Sequence, residues 1–295
     1  MGNYCEILIE NFPQIYFSKR ESGKTLTTIG VGGKVSLTAY PTNEKQFIKL
    51  LQFCDNNDIQ KTIIGKGSNV ILTDKGVSGL TICTTKLKEI TCKGNLLVCS
   101  CGVTSFQLIN NALSHNLGGV SFLIGIPATV GGMAVCNAGA FGYSIGEFIE
   151  YLVVYNNGKL SKKYSNEYNF SYRRSNIDGV VVAVALRLDK IDKKDEYRKI
   201  NNFLTMRLKQ PKTRNCGSVF INPLNNYAGN LIEKCGLKGY TVGGAKVSNN
   251  HANFIENIGG ATAEDIMQII NKIKSEVYQQ HGINLIEEIR FIGDI

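Results

Sequence analysis

Apolar residues recur at every third or fourth position in several parts of the chain, which is the spacing of an amphipathic helix. This spacing predicts helices over residues 44–57, 105–116, 194–208, 228–234 and 262–280. The last is the clearest, because Thr262 can cap its first turn, Asp265 follows three residues later, and isoleucines at helical spacing form an apolar face. Gly236 is expected to end the helix over 228–234, since glycine readily adopts the backbone conformation of a helix end.

Short apolar runs between the helices predict β-strands. They cover residues 61–64, 70–73, 180–188, 251–256 and 283–292, with further short strands between residues 87 and 99. The first two strands enclose a glycine turn, and this strand–turn–strand order differs from the strand–turn–helix order of a Rossmann or P-loop site. We therefore predict an α+β protein, and the pattern separates three regions, residues 1–82, 83–195 and 196–295.

The composition is that of a folded globular protein. The chain has 295 residues, of which 43% are hydrophobic and 19% are charged, which is enough for two or three domains with a packed core. No apolar run approaches the roughly 20 residues of a membrane span, and the N-terminus lacks the basic start and apolar core of a signal peptide. The nine cysteines show no CxxC spacing. We therefore expect reduced thiols, no metal site, no membrane association and a cytoplasmic location.

The net charge of +9 first suggests a nucleic-acid-binding protein. However, the lysines and arginines are spread along the chain, tryptophan is absent, and no basic run is interleaved with aromatic residues. An anionic small molecule, such as a nucleotide sugar or a phosphorylated cofactor, explains the sign of the charge equally well. We keep nucleic-acid binding as a distant alternative and expect no nucleic-acid partner.

Two glycine-rich segments are candidates for ligand binding, residues 64–71 and residues 125–132 with 137–140. So many glycines and small residues form helices and strands poorly, and they suit places where the backbone must approach a ligand closely. A pyrophosphate has more oxygens than one turn can satisfy, so backbone N–H groups of two loops could surround it. Either segment alone is more often a plain connection.

Six segments resemble, in sequence and in order, motifs of the UDP-N-acetylenolpyruvoylglucosamine reductase family. They are residues 27–33 (TTIGVGG), 65–71 (GKGSNVI), 125–132 (GIPATVGG) with 137–140 (NAGA), 172–175 (YRRS), 217–223 (GSVFINP) and 288–293 (EIRFIG). The resemblance covers nearly the whole chain, and the length is similar to that of the family's shorter form, type II, which lacks a substrate-covering insertion.

The resemblance implies a two-subdomain FAD-binding region of the PCMH, or vanillyl-alcohol-oxidase, type, followed by a smaller α+β substrate-binding domain. The subdomains would be residues 1–82 and 83–195, and the substrate-binding domain would be residues 196–295. The implied activity is reduction of UDP-N-acetylglucosamine enolpyruvate to UDP-N-acetylmuramate in peptidoglycan precursor synthesis, with FAD and NADPH as cofactors. We expect a monomer. The alternative enzyme is a flavin oxidase of the same FAD-binding architecture that acts on a hydroxy acid or a sugar.

The family's functional residues fall on defined positions of this chain. Ser218 matches the proton donor, and Arg173 and Glu288 match the residues that hold the enolate and its carboxylate. The implied FAD contacts are Ile64, Gly65, Lys66, Gly67, Ser68, Asn69, Val70, Ile71, Pro127, Val130, Gly131, Gly132, Asn137, Ala138 and Gly139. The implied substrate contacts are Tyr172, Lys209, Asn222 and His251. If Glu288 lies in the last predicted strand, it and its neighbour Glu287 face opposite sides.

Two positions depart from the family pattern. Ile221 stands where a basic residue is usual, so an anionic substrate would lose a contact there. Lys209, Lys212 or Arg214 could supply the charge instead. Ala128 stands where glycine is usual, and the added methyl group implies a slightly altered backbone.

Overall fold

The computed structural model describes residues 4–294. Within these residues the helices, numbered α1 to α8 in chain order, cover Tyr4–Asn11, Gly23–Leu26, Glu44–Asn56, Ser105–Ser114, Val130–Val135, Lys193–Arg207, Ala228–Lys234 and Ala263–His281. The strands, numbered β1 to β21 in chain order, cover Tyr16–Ser22, Lys34–Tyr40, Lys61–Ile64, Val70–Leu72, Val77–Cys83, Ile90–Lys93, Leu96–Ser100, Leu117–Gly118, Gly139–Ala140, Tyr143–Ser144, Ile149–Asn156, Lys159–Tyr164, Phe170–Ser171, Arg174–Ser175, Val180–Arg187, Asp189–Lys190, Arg214–Ser218, Thr241–Val242, Ala245–Val247, Phe254–Asn257 and Arg290–Ile292. This mixture of helices and strands confirms the α+β class.

The chain forms two compact units, and each is built from segments that are distant in sequence. Unit 1 contains residues 4–18, 37–66 and 79–207, and unit 2 contains residues 19–36, 67–78 and 208–294. The divisions predicted after residues 82 and 195 both fall inside unit 1, so the two units differ from the three predicted regions. Hydrophobic periodicity reports the face that a segment buries, and it carries no information about which distant segment covers that face.

Unit 1 is organised around an antiparallel five-stranded sheet with the order β12-β11-β15-β7-β6. Its central strand, β15, is buried along most of its length, which explains the run of valine and alanine in its sequence. Beside this sheet, β3 and β5 pair in parallel. Asn43 caps the start of helix α3, because its side chain accepts a hydrogen bond from the amide of Gln46, and the helix buries Phe47 and Leu50 in the core of unit 1.

Unit 2 contains an antiparallel sheet with the order β17-β20-β19-β18 and a parallel pair of β21 with β4. Helix α8 buries its isoleucines in the core of this unit, as predicted. Thr262 and Asp265 form a reciprocal capping box at its start, and Gly282 ends it with a φ of 68°. Gly236, with a φ of 72°, follows the end of helix α7 in the predicted way.

Three predicted elements were wrong in part. Residues 283–289 are not strand, because Ile221 donates to the carbonyl of Ile286 and a single bridge joins Phe220 to Glu287, so pairing becomes regular only at Arg290. Strand β20 begins at Phe254, because the preceding residues form a turn in which the amide of Phe254 donates to His251. The glycine-rich loop includes helix α5, which the composition argued against. None of the helices between residues 4 and 294 is long and apolar enough to cross a membrane.

Candidate active site

The start of the first glycine-rich segment, residues 64–66, approaches the second segment within unit 1. Gly65 follows strand β3, and a Cβ atom added there would lie 2.3 Å from Oγ1 of Thr129. A Cβ atom on Gly132 would lie 3.5 Å from the same oxygen. Because only a residue without a side chain permits the approach at Gly65, the contact accounts for glycine at that position. Part of the first loop and the second loop therefore line one place, as an extended phosphorylated cofactor would require.

Hydrogen bonds within unit 1 fix the beginning of helix α5. The amide of Val130 donates to the carbonyl of Val103 at 2.7 Å, and the amide of Gly131 donates to the carbonyl of Cys101 at 2.9 Å. Gly131 also lets the helix pack closely, because a Cβ atom there would lie 2.7 Å from Cβ of Cys101. These two amides therefore position the loop, and any contact of Val130 or Gly131 with a cofactor must use other atoms.

Asn137 connects the end of the second loop to the neighbouring hairpin. Its side chain is buried, its Oδ1 accepts a hydrogen bond from the amide of Gly146 at 3.0 Å, and its Nδ2 donates to the carbonyl of Ser171 at 2.8 Å. The backbone of Asn137 has a φ of 42°, which asparagine tolerates better than most residues. The carboxamide therefore has a structural part in holding the loop against the hairpin formed by β13 and β14.

Arg173 lies at the tip of this hairpin, beside Tyr172. Its φ of 59° lies in the left-handed region, which costs a residue with a side chain about 1–2 kcal/mol. A Cβ atom added to Gly139 would lie 2.9 Å from Nη1 of Arg173, and the guanidinium carbon lies 5.1 Å from the centre of the Tyr172 ring. The structure thus brings together Arg173, Gly139 and Tyr172, which the sequence assigned separately to catalysis, cofactor binding and substrate binding.

Ser218 ends strand β17 in unit 2. The register of β17 against β20 shifts between Asn215 and Ser218, and Gly217 has a φ of 78° at this irregularity. A Cβ atom added to Gly217 would meet none of the described atoms within 4 Å, so the space beside it is open. Ser218 is half-buried and pairs with Phe254. The serine is therefore held by a strand on one side, and the glycine before it faces open space.

Glu288 lies on the segment that borders the residues after Ser218. Its amide donates to the carbonyl of Val219 at 2.8 Å. Burial raises the pKa of the Cys216 thiol to about 12, and the nearby charge of Glu288 adds to this increase. Glu287 points elsewhere, because its carboxylate accepts a hydrogen bond from Nζ of Lys274 at 2.8 Å. Both backbones border the residues after Ser218, but the side chain of Glu287 is paired with Lys274 on helix α8, whereas the charge of Glu288 lies near Cys216.

Asn69, from the first glycine-rich segment, contacts the segment of Glu288. Its Nδ2 donates to the carbonyl of Glu288 at 3.1 Å, and its own carbonyl accepts from the amide of Arg290 at 3.0 Å. The parallel pairing of β4 with β21 continues this contact. Asn69, which the sequence assigned to FAD, thus also fixes the position of Glu288.

The remaining predicted substrate residues are dispersed over unit 2. Asn222 accepts a hydrogen bond from the amide of Ala228 at 3.0 Å and so supports the start of helix α7. His251 is half-buried, its ring centre lies 4.9 Å from that of Phe254, and burial lowers its pKa. Lys209 is exposed.

The two other candidate cations are also exposed. Lys212 lies on the surface, and the guanidinium of Arg214 packs over the backbone of Gly30, where a Cβ atom would lie 2.5 Å from Nη1. Ile221 is half-buried, and its amide is used in the hydrogen bond to Ile286.

Comparison with known proteins gives a family for the whole chain. A model of the UDP-N-acetylenolpyruvoylglucosamine reductase C-terminal domain matches residues 210–292, and a model of an FAD binding domain matches residues 35–162. The UDP-N-acetylenolpyruvoylglucosamine reductase of Caldicellulosiruptor bescii is 37% identical over 288 residues, which cover 95% of this chain and 92% of the relative. The chain belongs to the UDP-N-acetylenolpyruvoylglucosamine reductase family.

Further comparisons agree with this family. The reductase of Lactiplantibacillus plantarum is 35% identical over 293 residues, which cover 97% of each chain. The crystal structure of the family's enzyme from Thermus caldophilus has a TM-score of 0.81 and 28% identity, and the match covers 94% of this chain and 98% of that one. These findings confirm the resemblance and the predicted fold class, an FAD-binding region followed by a C-terminal domain. The roles of individual residues stay predictions.

The sequence reasoning missed two residues of this reductase that shape the candidate site. Thr129 lies where the two glycine-rich segments meet, and it stands among small residues that looked interchangeable. Asn253 is buried, and its side chain forms hydrogen bonds with the backbone of Phe220. Phe220 follows the predicted proton donor, Ser218, by two residues. Asn253 lay inside a predicted strand, where a polar residue gave no signal of a partner 33 positions away. A buried asparagine in an apolar run is the one cue that could have identified it.

Proposed function

We propose that this chain is a flavoprotein that reduces UDP-N-acetylglucosamine enolpyruvate to UDP-N-acetylmuramate, with NADPH as the reductant, in the synthesis of peptidoglycan precursors. The observation that carries the proposal is the match to reductases of this name along nearly the whole chain. When bound, FAD would supply hydride-transfer chemistry for the enolpyruvyl group, with NADPH as the source of the electrons. The family match favours this reaction over that of a flavin oxidase.

The glycine-rich segments are suited to an extended cofactor. A side chain at position 65 would overlap Oγ1 of Thr129, so glycine there lets the backbone of the first segment pack directly against the second. We infer, as the family resemblance implies, that residues 64–71, Pro127, Gly132 and residues 137–139 contact FAD. Val130 and Gly131 hold the loop in place through their amides, as described above.

Ser218 is the inferred proton donor to the carbon next to the carboxylate. A serine hydroxyl is a weak acid, so the alkoxide that remains needs stabilisation. The amide of Gly217 donates to Oδ1 of Asn215, and the amides of Val219 and Phe220 donate to Asn253. Because these neighbouring amides already have acceptors, the stabilisation must come from a water molecule, a cation or another donor.

Arg173 and Glu288 are the inferred partners of the developing negative charge. A guanidinium can hold a carboxylate through two parallel hydrogen bonds, and a protonated Glu288 could donate a hydrogen bond or a proton to the same group. We assign substrate contacts to Tyr172, Lys209, Asn222 and His251 as the family resemblance implies. We further infer that the enzyme is monomeric and cytoplasmic and needs no nucleic acid or membrane.

The decisive experiment measures the visible spectrum and the NADPH oxidation of the purified protein. We expect flavin absorbance near its usual visible bands and oxidation of NADPH that rises when the enolpyruvyl nucleotide sugar is added. A protein that stays colourless after loading with FAD would exclude the proposal. Oxygen consumption with a hydroxy acid, without the reductase reaction, would instead identify an oxidase. Size-exclusion chromatography with light scattering tests the monomer.

A further inference from the structure

Asn253 lies in the turn before strand β20 and has only 4% of its surface exposed. A buried carboxamide requires partners for both its oxygen and its nitrogen, because an unsatisfied polar group in the interior costs about 1–3 kcal/mol. Both partners are on one residue, Phe220. Oδ1 accepts a hydrogen bond from the amide of Phe220 at 2.9 Å, and Nδ2 donates to the carbonyl of Phe220 at 2.8 Å.

The backbone of Asn253 adds a third contact to the same segment. Its carbonyl accepts a hydrogen bond from the amide of Val219 at 2.9 Å. The nitrogen of Val219 belongs to the peptide unit that directly follows Cα of Ser218, so this bond fixes the plane of that unit. The side chain and the backbone of Asn253 therefore hold three consecutive peptide units after Ser218.

The hydrogen bonds of Asn253 continue the pairing of β17 with β20 beyond the point where the regular strands end. Ser218 is the last residue of β17, and its partner Phe254 is the first residue of β20. Beyond them, the carboxamide of Asn253 offers one donor and one acceptor to Phe220, as a strand residue would. On the opposite edge, Glu288 donates to the carbonyl of Val219. The residues after Ser218 are thus held along both edges.

We propose that Asn253 is a positioning residue for the reduction of the enolpyruvyl group, which holds residues 219–220 and thereby directs the hydroxyl of Ser218. The inference rests on the proposed function, since it assigns Ser218 as the proton donor. Asn253 itself has both polar atoms engaged with Phe220, so it acts through Ser218 without contact to the substrate. Productive proton transfer requires the donor within a narrow range of positions, and a displacement of about 1 Å can cost about 100-fold in rate.

The experiment compares the two half-reactions in Asn253→Asp. The aspartate keeps an acceptor for the amide of Phe220 and places a second carboxylate oxygen against the carbonyl of Phe220, where a donor is required. In rapid-mixing measurements, we expect flavin reduction by NADPH to stay within about twofold of the wild type. Reoxidation by the enolpyruvyl substrate should slow by about 10- to 100-fold, with a larger change in kcat than in KM.

Two further measurements separate positioning from a general structural defect. The solvent deuterium isotope effect on reoxidation should increase in Asn253→Asp, because proton transfer becomes more strongly rate-limiting. In the Ser218→Ala background, Asn253→Asp should cause little further loss, since the residue it directs is absent. Asn250→Asp is the matched control, because Asn250 is exposed on the same turn and receives the same charge.

The outcomes distinguish this inference from the proposed function. If the wild type itself is not reoxidised by the enolpyruvyl substrate, the proposed function fails. If the wild type turns over and Asn253→Asp matches it, loses both half-reactions equally, or adds its full loss to that of Ser218→Ala, the positioning role is overturned. Should Asn253→Asp fail to fold, the same comparison is made with Asn253→Ser, which keeps a small group able to donate to Phe220, and the same results decide.

Discussion

Ser218 and Arg173, the two residues with the most direct inferred roles, are held by the protein in opposite ways. Ser218 ends a strand, and the residues after it are hydrogen-bonded on one edge by Asn253 and on the other by Glu288. Arg173 lies at the tip of a hairpin whose strands have two residues each, and its backbone has a positive φ. One residue is built into a sheet, and the other depends on a short turn.

The difference follows from what each inferred role requires. A proton donor must reach one carbon atom, so a small displacement stops the reaction. A guanidinium that holds a carboxylate can keep its two hydrogen bonds while the whole group moves with the substrate, so a hairpin tip is sufficient. Strain of about 1–2 kcal/mol at Arg173 is the kind of cost that persists at functional positions. We therefore expect substitutions at Ser218 to act mainly on the chemical step and those at Arg173 mainly on substrate binding.

The largest expected effect is that of Ser218→Ala. Loss of the proton donor should lower substrate-dependent reoxidation of the flavin on the order of 10²- to 10⁴-fold. Reduction of the flavin by NADPH should be nearly unchanged, because no proton is delivered to the substrate in that half-reaction. Stopped-flow absorbance separates the two steps. The control is Ser114→Ala, which removes an exposed hydroxyl at the end of helix α4. Normal reoxidation in Ser218→Ala would assign the proton donor elsewhere.

Arg173→Lys is expected to have the next largest effect. Lysine keeps the positive charge but loses the planar group that binds a carboxylate through two parallel bonds. We expect kcat/KM for the enolpyruvyl substrate to fall by about 10- to 100-fold, mainly through KM. Arg174→Lys is the matched control, because Arg174 is the exposed neighbour in the same hairpin. Equal losses in both variants would mean that the hairpin binds the substrate through charge alone.

Regular, locally determined elements were predictable from the sequence, and the details of the site were not. Helix α8 follows from the cap at Thr262 and the isoleucine spacing, because both signals lie within the helix itself. The positive φ of Arg173 and the register shift before Ser218 depend on the strands around them. Residues 69 and 288 are brought together by pairing across more than two hundred positions, which local periodicity cannot indicate. The motifs therefore identified candidate residues, and the structure shows the backbone conformation and the contacts of each.

The smallest expected effect is a difference between the two units in how their stability depends on pH. In unit 1, the segment that leads to the second glycine-rich loop is held by Glu196 on helix α6, which accepts hydrogen bonds from Ser121, from the amide of Gly119 at 3.1 Å and from Lys199 at 3.2 Å. Burial alone would raise the pKa of the Glu196 carboxyl, but these three hydrogen bonds outweigh it and lower the pKa. In unit 2, the residues after Ser218 are held by the carboxamide of Asn253, which does not ionise, so these hydrogen bonds should not depend on pH in the same way.

A carboxyl whose pKa is lowered in the folded protein contributes stability above its unfolded pKa and loses it as the pH falls through the folded pKa. We therefore expect Glu196→Gln to lower the free energy of unfolding by about 1–3 kcal/mol at neutral pH. The difference from the wild type should begin to shrink as the pH falls below about 4, the ordinary pKa of a glutamate carboxyl in the unfolded chain, and should keep shrinking until the pH has passed through the lowered pKa of the folded protein. Denaturant unfolding at a series of pH values measures both. Asp195→Asn is the control, because Asp195 is the exposed neighbour on α6, and its effect should stay within about 0.5 kcal/mol. A difference for Glu196→Gln that does not change with pH would show that the charge of Glu196 does not hold this segment.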